Sequence, residues 1–206
     1  SVALSIGVQK MVRSDRACSG VMFSIDTESG FKNAVLINAA YGLGENVVQG
    51  AVSPDEFYVF KPLLGTKYKP ILSRKIGPKK IKMVYNDEPG ASDPVKVIDT
   101  EPESRLVYSL TDAEVEKLSE IAITIEKHYQ RPMDIEWAKD GHDGKLYIVQ
   151  ARPETVKSRE NANVMEQFQL QTSAQIVCEG RSIGHKIGSG EAKVLASLAE
   201  MDKILP

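Results

Sequence analysis

DIEWAKDGHDGKLYIVQARPET, residues 134–155, is the stretch that decides the fold. It predicts two short β-strands joined by a turn that is built from the Asp, Gly and His residues at 140–144. Side chains alternate across a strand, so Asp134 and Glu136 are predicted on one face and Ile135 and Trp137 on the other. On the returning strand, regular alternation predicts a face shared by Leu146, Ile148, Gln150 and Arg152, with Tyr147 and Val149 opposite.

The polar residues of this hairpin are of the types that bind a metal and a phosphate. A polar group in an apolar strand costs roughly 2–7 kcal/mol unless it is satisfied. A carboxylate at Glu136 and an amide oxygen at Gln150 are hard ligands suited to Mg²⁺, and Arg152 offers a bidentate donor to a phosphate. The alternative is a buried Glu–Arg pair with Gln150 as an ordinary strand residue, and the spacing leaves both interpretations open.

Longer motifs narrow the choice. The hairpin resembles the closing hairpin of the ATP-grasp nucleotide domain found in phosphoenolpyruvate synthases and pyruvate phosphate dikinases, most closely the bacterial synthases. The resemblance extends over VQKMVRSDRACSGVMFSIDTESG (8–30), AAYGLGENVVQGAVSPDEFYVFKP (39–62) and EGRSIGHKIGSGEAKVL (179–195). It covers nearly all 206 residues, and motifs of this length in this order are far more specific than a short pattern.

The resemblance implies a set of site residues. It implies that Gln9, Met11 and Val12 bind adenine along a strand edge, and that Glu45 of the GLGE segment lies at the nucleotide. It implies Glu136 and Gln150 as ligands of Mg²⁺ and Arg152 as the residue that neutralises charge during transfer. Asp134 is expected to orient Arg152 or a metal-bound water. Without the resemblance, the residues alone favour a core strand for VQKMV and a tight turn for GLGE.

The resemblance also implies an activity. ATP, pyruvate and water would give AMP, phosphoenolpyruvate and phosphate, with the β-phosphate passing through a histidine of a swivelling domain. The parent enzyme's N-terminal lobe, phosphohistidine and pyruvate domain are expected to be missing from this chain, so we expect the chain alone to be inactive; a homo-oligomer of the parent is left open. The alternatives are a dikinase or a relative with another acceptor, and a non-catalytic nucleotide-binding or interaction module.

Bulk properties restrict the class of protein. A formal net charge of −2 argues against a broad surface for nucleic acid or anionic membranes. No apolar run approaches the roughly 20 residues that span a bilayer, and no signal peptide is recognisable. Cys18 and Cys178 lie too far apart for a metal motif, which favours reduced thiols in a cytoplasmic protein. The apolar start without Met suggests a piece of a longer polypeptide.

The chain is predicted to be α+β, an ATP-grasp lobe with a mainly antiparallel sheet. The segments ALSIGVQKMV, SGVMFSI, KNAVLINA and EFYVF are predicted strands, followed by short strands in the basic stretch 74–87. A helix is predicted at 112–129, with Thr111 and Glu114 as a capping box. The expected divisions are a nucleotide domain at 1–157, a linker at 158–165 and the incomplete, β-rich start of a swivelling domain at 166–206, with strands at 167–171 and 174–180 and a helix near 195–203.

Other basic residues and histidines are assigned no chemistry. Arg13, Arg16, Lys79 and Lys80 are predicted to be solvated surface rather than phosphate ligands, and Ser53–Asp55 a turn. His128 ends the helix, and His142 is predicted to be exposed in the hairpin turn. His185 is not the phosphorylated histidine of the resembled family, because the motif G-G-x-T-[SC]-H-A-A does not occur here.

Overall fold

A computed structural model describes residues 6–155, 175–178, 187–191 and 193–194. The chain divides into two compact units, Ser1–Met165 and Glu166–Pro206. The described residues of the second unit form no helix or strand, so the strand predicted at 174–180 is not found at 175–178. The strand predicted at 167–171 and the helix near 195–203 lie outside the described residues, and the predicted domain boundaries stay a prediction.

The first unit is built on a six-stranded antiparallel sheet with a separate two-stranded sheet beside it. The large sheet has the order β4-β3-β2-β1-β7-β8, and the small one pairs β5 with β6. The strands are β1 (Cys18–Phe23), β2 (Ala34–Tyr41), β3 (Asp55–Phe60), β4 (Ile71–Lys75), β5 (Ile81–Tyr85), β6 (Val95–Asp99), β7 (Met133–Lys139) and β8 (Leu146–Pro153). The helices are α1 (Glu45–Val48), α2 (Pro102–Arg105) and α3 (Asp112–Tyr129), with 3₁₀ turns at Ser14–Arg16 and Lys61–Leu63. Among the described residues, the prediction of mixed α and β structure with a mainly antiparallel sheet is confirmed.

The helix α3 covers one face of the large sheet. The predicted capping box is present, since Glu114 N–H donates to Thr111 Oγ1 at 3.3 Å and Thr111 N–H donates to Glu114 Oε2 at 2.9 Å. Apolar residues of the helix, including Val115 and Leu118, pack with sheet residues such as Trp137 into the hydrophobic core. This packing leaves the opposite face of the sheet for other contacts.

The two cysteines are free thiols, as predicted. Cys18 belongs to the core beneath α3, and its burial raises the pKa of the thiol to about 12. A buried thiol that stays protonated is unsuited to nucleophilic chemistry. Cys178 is exposed.

The predicted hairpin is present, but its regular alternation is wrong. Asp134 pairs with Arg152 and Glu136 with Gln150, whereas Trp137 pairs with Ile148, so Val149 has no partner and forms a β-bulge. The extra residue reverses the alternation, and Leu146 and Ile148 therefore pack on the core instead of sharing a face with Gln150 and Arg152.

The strand predicted at 3–12 is also wrong over residues 6–12, which form no strand. Both edges of β7 are already paired, one with β1 and one with β8. The segment is held instead by the turn between β7 and β8, where Gly141 N–H donates to Arg13 O at 3.0 Å. Most of its apolar side chains are exposed, Val8 by 97% and Met11 by 67%, so the apolar pattern did not indicate a buried face.

No helix among the described residues is both long enough and apolar enough to cross a membrane.

Candidate functional site

A cavity of about 900 Å³ lies on the sheet face that α3 does not cover. Its floor comes from β1 and β7, through residues that include Ser19, Glu136 and Ala138. One wall is residues 9–12, a segment we call the strap; the others are the turn and helix at 43–49, the side of β8 at 147–149, and Tyr85 of the small sheet. Pockets for small molecules are commonly of this size and combine apolar walls with a few polar groups.

Five of the eight sequence-predicted site residues line this cavity. They are Gln9, Met11, Val12, Glu45 and Glu136. Gln150, Asp134 and Arg152 are not part of the lining; each is paired in register on β7 or β8. The structure therefore brings the three residues predicted to contact adenine together with the two glutamates. The remaining three residues lie beside the cavity.

Glu136 is the acidic group on the cavity floor. In the ladder it lies directly opposite Gln150 on one side and Val21 on the other, and side chains at opposed positions have Cβ atoms about 4.5–5.5 Å apart. Within the described residues, the Glu136 carboxylate takes part in no hydrogen bond or salt bridge, and the same is true of the Gln150 amide. Two oxygen-bearing side chains thus stand next to one another with free acceptor capacity.

Asp134 and Arg152 form an ion pair next to Glu136. Arg152 Nε donates to Asp134 Oδ2 at 2.8 Å, and an Nη atom lies 2.7 Å from the same oxygen. This hydrogen bond, aided by the charges of Asp134 and Glu136, raises the pKa of Arg152. The Arg152 side chain is 66% exposed, so the alternative of a buried Glu–Arg pair is wrong; the arginine pairs with Asp134 and keeps exposed surface.

The glycine turn that carries Glu45 is held by buried contacts. Ser19 Oγ donates to Gly42 O at 2.6 Å, and Leu43 N–H donates to Met83 O at 2.9 Å. Gly42 has φ +88°, and an added Cβ would lie 2.4 Å from Met83 O, so glycine is required there by strand β5. Glu45 begins α1, and its carboxylate accepts a hydrogen bond from Gln49 Nε2 at 2.8 Å.

A charged cluster fastens the strap to the hairpin turn, and the sequence reasoning did not find it. Lys10 Nζ lies 2.9 Å from Tyr147 Oη, 3.1 Å from Asp143 Oδ2 and 3.2 Å from Asp140 Oδ2. The hydrogen bond to Tyr147 and then that to Asp143 raise the pKa of Lys10. The only available signal was the pair of aspartates in the DGHDG turn, which does not indicate a partner more than 120 residues away.

The remaining basic residues and histidines have mixed outcomes. The prediction that Lys79 is a surface residue is wrong, because its side chain is fully buried against Asp55. Arg13 is bound to Asp15 and stacks over Tyr85 with its Cζ 5.1 Å from the ring centroid. Lys80 and His142 are exposed, as predicted; His185 lies outside the described residues.

The charge of the cavity lining is net negative. Among the described residues that form it, Glu45 and Glu136 are the acids and Lys10 is the base, already bound to the hairpin turn. An anionic ligand would therefore need a cation or further basic groups to bind here. No group of three or more His, Cys, Asp or Glu within the described residues is placed to hold a metal alone, which leaves sites with one or two protein ligands.

Comparisons with known proteins identify relatives. The family model described as "Pyruvate phosphate dikinase, AMP/ATP-binding domain" matches residues 1–172. The phosphoenolpyruvate synthases of Pseudomonas aeruginosa (strain UCBPP-PA14) and Escherichia coli (strain K12) are 59% and 58% identical over 205 residues, which is 100% of this chain and 26% of each relative. A probable phosphoenolpyruvate synthase of Pyrococcus abyssi is 38% identical over 98% of the chain and 24% of its own length. The chain thus spans about a quarter of the length of these curated relatives.

Proposed function

The chain belongs to the pyruvate phosphate dikinase AMP/ATP-binding domain family, and from this premise we propose that the cavity beside Glu136 binds ATP. The cavity volume of about 900 Å³ accommodates a nucleotide. The strap offers Gln9, Met11 and Val12 to the adenine ring, and Glu45 lies on another wall. The single observation that carries the proposal is that these distant segments converge with Glu136 on one cavity in a chain of this family.

Mg²⁺ fits the donor atoms of Glu136, on the cavity floor, and of Gln150, beside the cavity. Glu136 and Gln150 are paired in register, with acceptor atoms that no described residue uses. Mg²⁺ is commonly held by one or two carboxylates, with waters and substrate phosphates completing its shell, so the absence of a three-acid cluster among the described residues agrees with this metal. When bound, the ion offsets the negative charge of phosphates.

The chain's own residues have distinct roles in this proposal. The strap and the glycine turn orient the nucleotide, and Glu136 with Gln150 fixes the place of the metal. Arg152 neutralises charge on the phosphates, with Asp134 holding its guanidinium at 2.8 Å. Catalysis of phosphoryl transfer rests on positioning and electrostatic stabilisation, so these paired residues of β7 and β8 are the ones on which we expect the rate to depend.

The reaction we propose for the whole polypeptide is that of a phosphoenolpyruvate synthase. ATP, pyruvate and water give AMP, phosphoenolpyruvate and phosphate, the β-phosphate passing through a histidine that the described residues do not include. An ATP-grasp arrangement, with a second lobe closing over this cavity and supplying basic groups, accounts for the negative lining. We therefore expect this chain alone to be inactive and to bind nucleotide weakly.

The test uses a polypeptide of the relatives' full length that contains this chain. ATP and Mg²⁺ are supplied with and without pyruvate, and AMP, phosphate and pyrophosphate are quantified for the wild type and Glu136→Gln. Glu120→Gln is the control, because Glu120 is an exposed acid on α3 at the far face of the sheet. We expect pyruvate-dependent AMP and phosphate that Glu136→Gln reduces at least about 100-fold and Glu120→Gln leaves unchanged.

Other results would contradict parts of the proposal. AMP formation that requires added phosphate and yields pyrophosphate would identify a dikinase. AMP formation without pyruvate dependence would indicate another acceptor. Wild-type turnover in Glu136→Gln would remove Glu136 from the metal site.

A further inference from the structure

We propose that Lys10 is the positioning residue that fixes the strap over the nucleotide cavity, and that it does so without contacting phosphate. This inference rests on the proposed nucleotide site, because it assigns a task to a residue in the wall of that cavity. Three observations support it. They are the oxygen atoms around the Lys10 ammonium, the hydrogen bonds that hold those oxygen atoms in place without Lys10, and the small number of other contacts made by the strap.

The Lys10 ammonium is surrounded by acceptors from the hairpin turn and β8. A lysine ammonium has three N–H donors, and three acceptors surround Lys10 Nζ at 2.9–3.2 Å, namely Tyr147 Oη, Asp143 Oδ2 and Asp140 Oδ2. A phosphate at this ammonium would compete with these acceptors for its N–H groups. The one lysine in the described lining is therefore committed to the protein.

The acceptors are arranged independently of Lys10. His142 N–H donates to Asp140 Oδ1 at 2.8 Å, and Lys145 N–H donates to Asp143 Oδ1 at 2.9 Å. Tyr147 donates its hydroxyl to Asp143 Oδ2 at 2.6 Å, and this bond, with the Lys145 amide and Lys10, lowers the pKa of Asp143. The hairpin turn thus presents a preformed anionic socket to the lysine.

The strap has few other attachments at this end. It forms no β-ladder, and Met11 is 67% exposed, with its Sδ accepting a hydrogen bond from Tyr85 Oη at 3.0 Å. The next fixed point is Arg13, whose carbonyl accepts from Gly141 N–H at 3.0 Å. Lys10, between Gln9 and Met11, therefore supplies the charged contacts of the strap, beside the single hydrogen bond at Met11. We expect its loss to loosen the residues on both sides.

The functional consequence is a loss of preorganisation. A ligand binds with an apparent affinity reduced by the fraction of protein in the competent state. When Lys10 is removed, the strap samples other positions and every ligand that contacts it loses affinity by a similar factor. A lysine that bound phosphate directly would behave differently, since its removal would weaken the affinity for ATP far more than the affinity for adenosine.

The experiment compares Lys10→Met and Asp143→Asn in the full-length polypeptide with Mg²⁺ present. Asp143 does not line the cavity, so any effect of its substitution on a nucleotide passes through the socket. The dissociation constants of adenosine, AMP and ATP are measured by calorimetry, and amide exchange of residues 9–12 by mass spectrometry. The matched control is Lys117→Met, which breaks a single exposed pair with Glu120 on α3.

We expect both variants to weaken all three ligands by a common factor of about three to ten, with faster amide exchange in the strap. Lys117→Met should change neither quantity. A loss of affinity confined to ATP would show that Lys10 binds phosphate. Unchanged affinities together with unchanged amide exchange would show that Lys10 does not hold the strap. Either result overturns the inference. Failure of the wild type to bind any of the three ligands would instead refute the proposed nucleotide site.

Discussion

Lys79 and Lys10 each bind aspartate, but they do so in opposite surroundings. Lys79 and Asp55 are completely buried beneath the start of β3, whereas the Lys10 side chain is 52% exposed at the cavity. Removing an ion from water costs several kcal/mol, so the buried pair exists only while both partners are present and bonded. Water can replace the partners of Lys10. The same two side-chain types therefore bear on folding at one place and, in our proposal, on the position of the strap at the other.

The buried pair is embedded in a wider set of hydrogen bonds. Asp55 accepts from Gly77 N–H at 2.9 Å and, through its other oxygen, from both the amide and the hydroxyl of Ser109 at 2.8 Å. Lys79 also donates to Gly77 O at 2.9 Å. These contacts join β3 to the segments that follow β4 and precede α3, so the buried pair holds parts of the first unit that are distant in sequence.

Lys79→Met tests the buried side of the comparison and has the largest expected effect. It leaves the Asp55 charge buried without a counter-ion, which costs about 3–5 kcal/mol of the free energy of unfolding. Lysine and methionine both carry a Cβ, so the conformational cost of φ +41° at position 79 is the same in the wild type and the variant. The measurement is urea denaturation followed by the fluorescence of Trp137, the single tryptophan of the 206 residues.

The control for this prediction is the neighbouring residue. Lys80→Met removes an exposed lysine and should change the free energy of unfolding by less than about 0.5 kcal/mol. A loss below about 1 kcal/mol in Lys79→Met would mean that Asp55 is satisfied by its other hydrogen bonds. The contrast between buried and exposed lysines would then fail.

Gly42 and Gly50 extend the comparison from side chains to the backbone. Both have positive φ, +88° and +70°, but a Cβ at Gly42 would meet Met83 O at 2.4 Å, and one at Gly50 would meet nothing within 4 Å. We expect Gly42→Ala to cost about 2–4 kcal/mol through strain and contact together, and Gly50→Ala about 1–2 kcal/mol through strain alone. The same denaturation experiment measures both, and equal losses would show that strand β5 yields to the added methyl group.

The features that local sequence determines were predicted correctly. Helix α3 has the predicted bounds, 112–129, because its capping box and apolar period are contained in one segment. The predicted hairpin is also present, but the pairing of Glu136 with Gln150 within it depends on the bulge. The bulge at Val149 was not predicted, since valine fits either a regular strand position or an unpaired one and nothing nearby in sequence marks the difference.

The features that distant contacts determine were missed. Lys10 meets Asp143 across 133 residues, and Lys79 meets Asp55 across 24. A lysine in a polar stretch is exposed in most proteins, and only the fold shows that Lys79 passes beneath β3. For the same reason the strap was predicted as a strand, because the pattern of residues 8–12 does not show that both edges of β7 are already paired.

Arg152→Ala has the smallest expected effect on stability. It extends the comparison of ion pairs to one whose basic side chain is mostly exposed. Two nitrogens of Arg152 contact one oxygen of Asp134, at 2.8 and 2.7 Å, yet the arginine side chain is 66% exposed. Exposed pairs contribute about 0–1 kcal/mol because solvent screens the charges and two long side chains lose freedom. We therefore expect the free energy of unfolding to fall by less than about 1 kcal/mol, and 1 M salt to reduce that difference further.

Arg131→Ala, at an exposed arginine just after α3, is the matched control. If Arg152→Ala instead cost as much as Lys79→Met, geometry rather than burial would govern these pairs. If it spared stability but slowed phosphoryl transfer in the full-length polypeptide, the charge of Arg152 would act on the ligand directly, whereas that of Lys10 acts through the position of the strap.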